Sequence, residues 1–290
     1  MSERSVGLVG IGLMGEALAR RLIPVGFTVL GTDVDQSKTE RLVELGGKAA
    51  SLPDIARRCN PIVLAVYSTE QVEEVTDALL AHIPAGTIVM CTSTCDPDRI
   101  AALAARVAPK GLRFLETPVS GSSDQVRRGE GVGLIGGDPQ TAAEVAPILD
   151  AMFPTRFHIG KPGDGGRAKL AINLILGLNR LALAEGLVFA SRLGLDSDAF
   201  LKVARISAAS SQVMDTKGPK MVRGDFAPQG YVHQTLKDVH MMLDQAQQRG
   251  QELPALRVNA DVLEACVRHG EADLDNSIVI EEIRRRTRAP

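Results

Sequence analysis

Two patterns of apolar positions divide the chain. Over the first 160 residues short apolar, largely β-branched runs recur at Val6–Gly10, Thr28–Thr32, Ile62–Val66, Thr87–Cys91, Arg113–Thr117 and Val132–Gly136. Helical patterns such as Met14–Pro24, Ser37–Leu45 and Thr69–His82 separate most of them. Such alternation predicts a parallel sheet with helices on both faces. The turn-rich segment Lys161–Gly166 then breaks the pattern, and helical character runs on to Gly194. Beyond it, Asp196–Ala208, Val232–Gln248, Pro254–His269 and Asn276–Arg286 all read as helices, with no strand pattern among them. The expectation is an α/β sheet domain over residues 1–161 and an all-α domain over 162–290, joined by a long interdomain helix. A cleft where two domains meet is a usual place for a ligand.

Composition narrows the partners. The 290 residues carry a formal net charge of −2, too little field to gather nucleic acid or an acidic membrane, so a small diffusible ligand is the expected partner. Polar Met1–Ser5 leads straight into the first apolar run, leaving no room for a secretory signal. The longest apolar stretch, Leu170–Ala190, is interrupted by Asn173, Asn179, Arg180 and Glu185 and predicts a buried helix rather than a membrane span. Cys59, Cys91, Cys95 and Cys266 show neither a CxxC nor a metal spacing, which suits reduced thiols in the cytoplasm. His233 and His240 could share a helix face, but no carboxylate or cysteine set joins them at metal spacing, and no metal is expected. The Arg284–Arg288 tail reads as a solvated helix end.

Candidate chemistry begins at the first strand-to-helix junction, Gly10-Ile-Gly12-Leu13-Met14-Gly15. In a dinucleotide fingerprint the first glycine makes the tight turn, the second lets backbone approach a pyrophosphate, and the third packs helix on strand. The helix N-terminus then offers free N–H groups and partial positive charge to the phosphates. Asp33 follows Gly10 by 23 residues, near the spacing of the acidic residue that holds the adenosine ribose. A carboxylate there repels a 2′-phosphate and no arginine follows, so NAD is favoured, with NADP possible. The first domain is therefore expected to be Rossmann-type.

Three further motifs follow in order: Glu116-Thr-Pro118-Val-Ser120-Gly121, then Gly163-Asp-Gly165-Gly-Arg-Ala-Lys169-Leu-Ala-Ile-Asn173, then Leu236-Lys237-Asp238. With the glycine fingerprint they resemble the β-hydroxyacid dehydrogenase family, which includes 3-hydroxyisobutyrate dehydrogenases and tartronate semialdehyde reductases, and the resemblance spans essentially the whole chain. It implies that Lys169 is the general acid/base and that Asn173 orients substrate. Residues four apart on a helix project from one face, so the spacing itself is suited to such a pair. A lysine can take the proton of an alcohol if desolvation and a cationic nicotinamide lower its pKa from about 10.4.

The resemblance further implies that Ser120 and Gly121 bind the substrate carboxylate, that Thr94 lies near cofactor and substrate, and that Lys237 packs by the nicotinamide. Ser122 stands where the family most often has a second glycine, and its side chain can narrow the pocket or add a hydrogen bond. Ile172 replaces the first of two asparagines common in relatives. The family often assembles as dimers or tetramers, so a homodimer or homotetramer acting on a small carboxylate is expected. A short-chain dehydrogenase is excluded, because Gln71 and Thr235 stand four residues after Tyr67 and Tyr231, where a lysine is required. An imine or enamine reductase of the same architecture and a non-catalytic NAD-binding relative are the remaining alternatives; Lys169 argues against the first, and Lys169 with Asn173 against the second.

Overall fold

The computed structural model describes residues 5–286; the end of the arginine-rich tail, at Arg288, lies outside them. Contacts between Cα atoms divide the chain into compact units at residues 1–170 and 171–290.

The first unit holds nine strands among the described residues: β1 (Ser5–Val9), β2 (Thr28–Thr32), β3 (Lys48–Ala49), β4 (Ile62–Leu64), β5 (Ile88–Cys91), β6 (Arg113–Glu116), β7 (Val119–Ser120), β8 (Val132–Gly136) and β9 (Thr155–Gly160). Their order is β3-β2-β1-β4-β5-β6-β8-β7, with β9 on β8. The strands from β3 to β6 pair in parallel, whereas β8 runs antiparallel to β6 and β7, so the sheet is mostly rather than wholly parallel. Helices α1 (Leu13–Leu22), α2 (Gln36–Glu44), α3 (Leu52–Arg58), α4 (Thr69–Leu80), α5 (Pro97–Val107), α6 (Ser123–Arg127), α7 (Pro139–Glu144) and α8 (Ala146–Met152) connect them.

Burial on both faces explains why the strands are apolar throughout. Val6, Leu8, Val63, Met90 and Leu115 face one core with Leu18, Leu22 and Phe153. Ile62, Leu64, Val89 and Phe114 point the other way, toward Ile55, Val72 and Leu103. Side chains that alternate across a pleat can fill two cores only if both positions are apolar. The strand order reverses between β2 and β4 on either side of β1, a topological switch point where ligands bind at the carboxyl ends of strands.

The motif-bearing helix α9 (Asp164–Arg192) starts in the first unit and continues into the second. It is not the buried helix expected: Ile175 and Phe189 are exposed, and only 39% of its most apolar window is buried. Length and composition alone would let α9 cross a membrane. The second unit continues with α10 (Ser197–Ile206), α11 (Gln212–Thr216), α12 (Gly218–Arg223), α13 (Val232–Gln248), α14 (Pro254–Arg268) and α15 (Val279–Arg285).

Candidate active site

The glycine fingerprint occupies the turn from β1 into α1. Gly10 has φ +92°, and a Cβ there would stand 2.6 Å from the Ala65 carbonyl oxygen on the neighbouring crossover. A Cβ on Gly15 would collide with the Gly10 carbonyl oxygen, so only glycine lets α1 pack this tightly on its strand. Above Gly12, in contrast, nothing lies within 4 Å of a Cβ position. The N-terminus of α1 has no side-chain cap, and half-buried Leu13 and Met14 form its first turn. Uncapped N–H groups facing open space above a side-chain-free residue fit a pyrophosphate.

Asp33 follows β2 and reaches back to this turn. Its Oδ2 accepts from the Ile11 N–H at 2.6 Å and its Oδ1 from the Asp35 N–H at 2.9 Å. Each carboxylate oxygen keeps a lone pair for a ribose hydroxyl. Lys38 lies 3.8 Å from both the Asp33 and Asp35 carboxylates, so this cation is already balanced by two anions.

Hydroxyls gather after β5. Thr92 donates to the Leu64 carbonyl at 2.9 Å and Ser93 to the Val66 carbonyl at 2.6 Å, which ties this loop to the end of β4; Thr94 is half-buried beside them. Ser120 ends β7, opposite Val132 of β8, and Gly121 follows with φ +138°. Ser122 caps α6: its Oγ accepts from the Gln125 N–H at 3.3 Å, while the Gln125 Oε1 accepts from the Ser122 N–H at 2.9 Å. The capping box occupies the Ser122 N–H, so only its hydroxyl proton is left to meet a ligand. What reads in sequence as a pocket residue is first of all a helix cap.

Lys169 is buried, 7% exposed, in the second turn of α9 and belongs to the first unit. Glu116 has no role legible in the sequence, and the structure supplies one. At the end of β6 its buried carboxylate accepts from the Gly163 N–H at 2.5 Å and the Gly166 N–H at 3.1 Å, capping the helix that carries Lys169 from a separate strand. The glycines around it make room: a Cβ on Gly136 would stand 2.6 Å from Glu116 Oε2, and one on Gly166 2.9 Å from Oε1. Burial pushes the Glu116 carboxyl up to about 7, against the pull of backbone N–H donors from Gly163, Gly166 and Gly165. Arg167 bridges Asp164 at 2.6 Å and Asp98 at 2.7 Å, fixing the same turn from outside.

The second unit carries the remaining motif residues. The Asn173 side-chain amide donates to Asp238 Oδ2 at 3.2 Å, and Lys237 forms an ion pair with Asp238 Oδ1 at 3.1 Å. Asp238 thus joins the two residues that the motifs singled out, Asn173 and Lys237.

Residues 5–160 match the model of the NAD-binding domain of 6-phosphogluconate dehydrogenase. Residues 163–283 match the NAD-binding domain model of NADP-dependent 3-hydroxyisobutyrate dehydrogenase. The chain belongs to the β-hydroxyacid dehydrogenase family. Its relatives include glyoxylate/succinic semialdehyde reductase 2 of Arabidopsis thaliana, 28% identical over 97% of this chain and 79% of that one. L-threonate dehydrogenase of Cupriavidus necator is 28% identical over 96% of each chain. Among solved structures, 3-hydroxyisobutyrate dehydrogenase from Salmonella typhimurium superposes with TM-score 0.88 at 28% identity, covering 96% of this chain and 99% of that one. This β-hydroxyacid dehydrogenase is an oxidoreductase whose cofactor is of the NAD(P) class.

None of the four cysteines of the dehydrogenase forms a disulfide, and all four are buried. The neighbouring Cys95 thiol, and then burial, hold the Cys91 thiol above its usual value, so it stays protonated. His240 lies 3.1 Å from Glu264, and His233 is 3.6 Å from Asp273 and stacks on Tyr231.

Proposed function

We propose that the chain interconverts a small β-hydroxy acid and its semialdehyde, with Lys169 moving the proton. The observation that carries this reading is Lys169 itself, buried in the second turn of a helix capped by Glu116 and in the same compact unit as the glycine fingerprint. The relatives' names, semialdehyde reductase and threonate dehydrogenase, support the substrate class. The match of residues 163–283 to a hydroxyisobutyrate dehydrogenase model favours this chemistry over imine reduction.

NAD(P), when bound, supplies or accepts the hydride. Gly10, Gly12, Leu13, Met14 and Gly15 hold the pyrophosphate, and Thr94 and Lys237 line the cofactor further along. Asp33 holds the ribose hydroxyls, and its charge selects NAD over NADP. Ser120 and Gly121 take the substrate carboxylate, with the Ser122 hydroxyl as a third donor. In oxidation Lys169 accepts the hydroxyl proton; in reduction it returns one to the carbonyl oxygen, and general acid–base transfer of this kind contributes roughly 10²–10⁴-fold. Asn173, braced by Asp238, orients the reacting oxygen. The two family matches, ending at residue 160 and beginning at 163, support a domain boundary near residue 161. The first turns of α9, with Lys169, then belong to the helical domain by family match while packing in the compact unit of the sheet. On that division the sheet domain binds cofactor and the helical domain serves substrate and assembly. We place the enzyme in the cytoplasm as a homodimer or homotetramer; exposed Ile175, Phe189 and Leu193 suit an interface between copies.

Steady-state assays of the purified chain with NAD and NADP, against β-hydroxy acids from three to six carbons and their semialdehydes, test the reading. Turnover is expected with at least one member, and faster with NAD. No turnover with any member would defeat it.

A further inference from the structure

Buried polar atoms without hydrogen-bond partners mark places where a structure is waiting for something. In the helical unit they include the Arg180 Nε, the Asn259 Nδ2 and the Asn173 Oδ1. Arg180 is the costly one. The residue is 5% exposed, and burial lowers the pKa of its guanidinium only to about 10, so it stays charged near neutrality. The nearby carboxylate, Asp275, is fully used: it accepts from Lys217 Nζ at 2.8 and 2.9 Å, from the backbone N–H groups of Gln229 and Ser277, and from the Ser277 hydroxyl. Lys217 and Asp275 neutralise one another, which leaves the charge of Arg180 uncompensated. A buried unpaired cation is destabilising unless an anion joins it.

The surroundings are shaped for one. The atoms within 4 Å of a Cβ position on Gly177 are Asn259 Nδ2 at 3.2 Å and Arg180 Nη2 at 3.8 Å, both hydrogen-bond donors. A side chain at 177 would fill the spot onto which they converge. Asn173, Gly177 and Arg180 follow at four- and three-residue steps on α9, so they share a face, with Arg180 about 10 Å beyond Asn173 along the axis.

We infer that Arg180 and Asn259, around the space left by Gly177, form an anion subsite that receives a second acidic group at the far end of the substrate. The inference rests on the proposed function for Asn173 and for the reacting end, and it narrows the substrate to β-hydroxy acids that carry a further carboxylate or phosphoryl group. A donor pair of this kind, one member charged, accepts an oxyanion and offers nothing to a neutral alkyl tail.

The test uses the full-length enzyme, Arg180→Leu and Gly177→Leu, the second filling the space while keeping the cation. Thermal unfolding is followed by circular dichroism in inorganic phosphate, in succinate and in chloride at matched ionic strength. Wild type should gain stability in phosphate or succinate over chloride, the more effective anion identifying the acidic group, and both variants should lose that gain. Phosphate bound at the glycine turn would persist in both variants, so the difference between proteins is the readout. Arg180→Leu should be at least as stable as wild type in chloride, because an unpaired charge has gone. In kinetics, the ratio of kcat/KM for a β-hydroxy diacid to that for a monoacid of equal length should fall about tenfold or more in Arg180→Leu, the scale of a hydrogen bond to a charged group. An anion response identical in all three proteins overturns the subsite. So does Arg180→Leu that loses stability in chloride together with its oligomeric state, since a second copy then supplies the counter-charge. If no hydroxy acid is turned over, the function fails while the unfolding data still decide the subsite.

Discussion

Glutamine at position 116 isolates what the buried carboxyl does for the helix that bears Lys169. The Glu116 carboxyl moves from 4.5 to about 7 on burial, which at about 1.36 kcal/mol per pH unit corresponds to about 3 kcal/mol. The sign follows from which state holds the proton more tightly. With the pKa raised in the folded protein, the contribution is fully present below pH 4.5, declines as pH rises, and is gone above about 7. Glu116→Gln removes that slope. Its amide N–H₂ stands where the protonated carboxyl carries its O–H, so the backbone donor left short of an acceptor, worth about 1–3 kcal/mol, is common to both proteins below the pKa. The variant should therefore lie close to wild type at pH 4.5, and the difference should shift in its favour by about 3 kcal/mol by pH 8. Urea unfolding followed by circular dichroism from pH 4.5 to 8.5 measures this; the chain has no tryptophan to report by fluorescence. A stability difference constant within about 0.5 kcal/mol over that range would show that the backbone donors of α9 outweigh burial, and the argument from desolvation would be refuted.

Other sites give sharper yes-or-no outcomes. Gly15→Ala forces a methyl group against the Gly10 carbonyl oxygen; calorimetric NAD binding should weaken by at least about tenfold, and unchanged affinity would mean the turn can open freely. Asp33→Ala should narrow the preference for NAD over NADP, read as the ratio of kcat/KM values, and an unchanged ratio would remove Asp33 from cofactor selection. Asp275→Asn strands Lys217 beside Arg180 in the helical unit and should cost about 3–5 kcal/mol in urea unfolding. A loss under about 1 kcal/mol there would show that water reaches the pair.

Much of this was legible in the sequence because periodicity reports burial. Thr28–Thr32, Val132–Gly136 and Val232–Gln248 coincide with structural elements, since each is uniformly apolar or cleanly amphipathic. Two-residue β3 and β7 are too short to show a period, and exposed edge strand β9, with Arg156 and His158 in it, shows no apolar pattern. The glycine turn and the Lys169–Asn173 spacing were readable because they are local in the chain. Glu116 is 47 residues from Gly163, and no local rule joins them; only the sheet brings the carboxylate under the first turn of α9. The clue was an acidic residue ending an apolar strand that then proves buried. Ser122 was the opposite case, a serine three residues before a glutamine, whose capping-box pattern was overshadowed by its place in a substrate motif. Arg180 reads in the sequence as a break in an apolar run, and nothing local marks it as a buried arginine with no carboxylate to itself.

The account stands most directly on the proton carried by Lys169. With Lys169→Ala, turnover of the best hydroxy acid should fall by about a hundredfold or more while calorimetric NAD(P) affinity stays within about threefold. A variant that turns over like the parent, or one that fails only because it no longer binds dinucleotide, would contradict it.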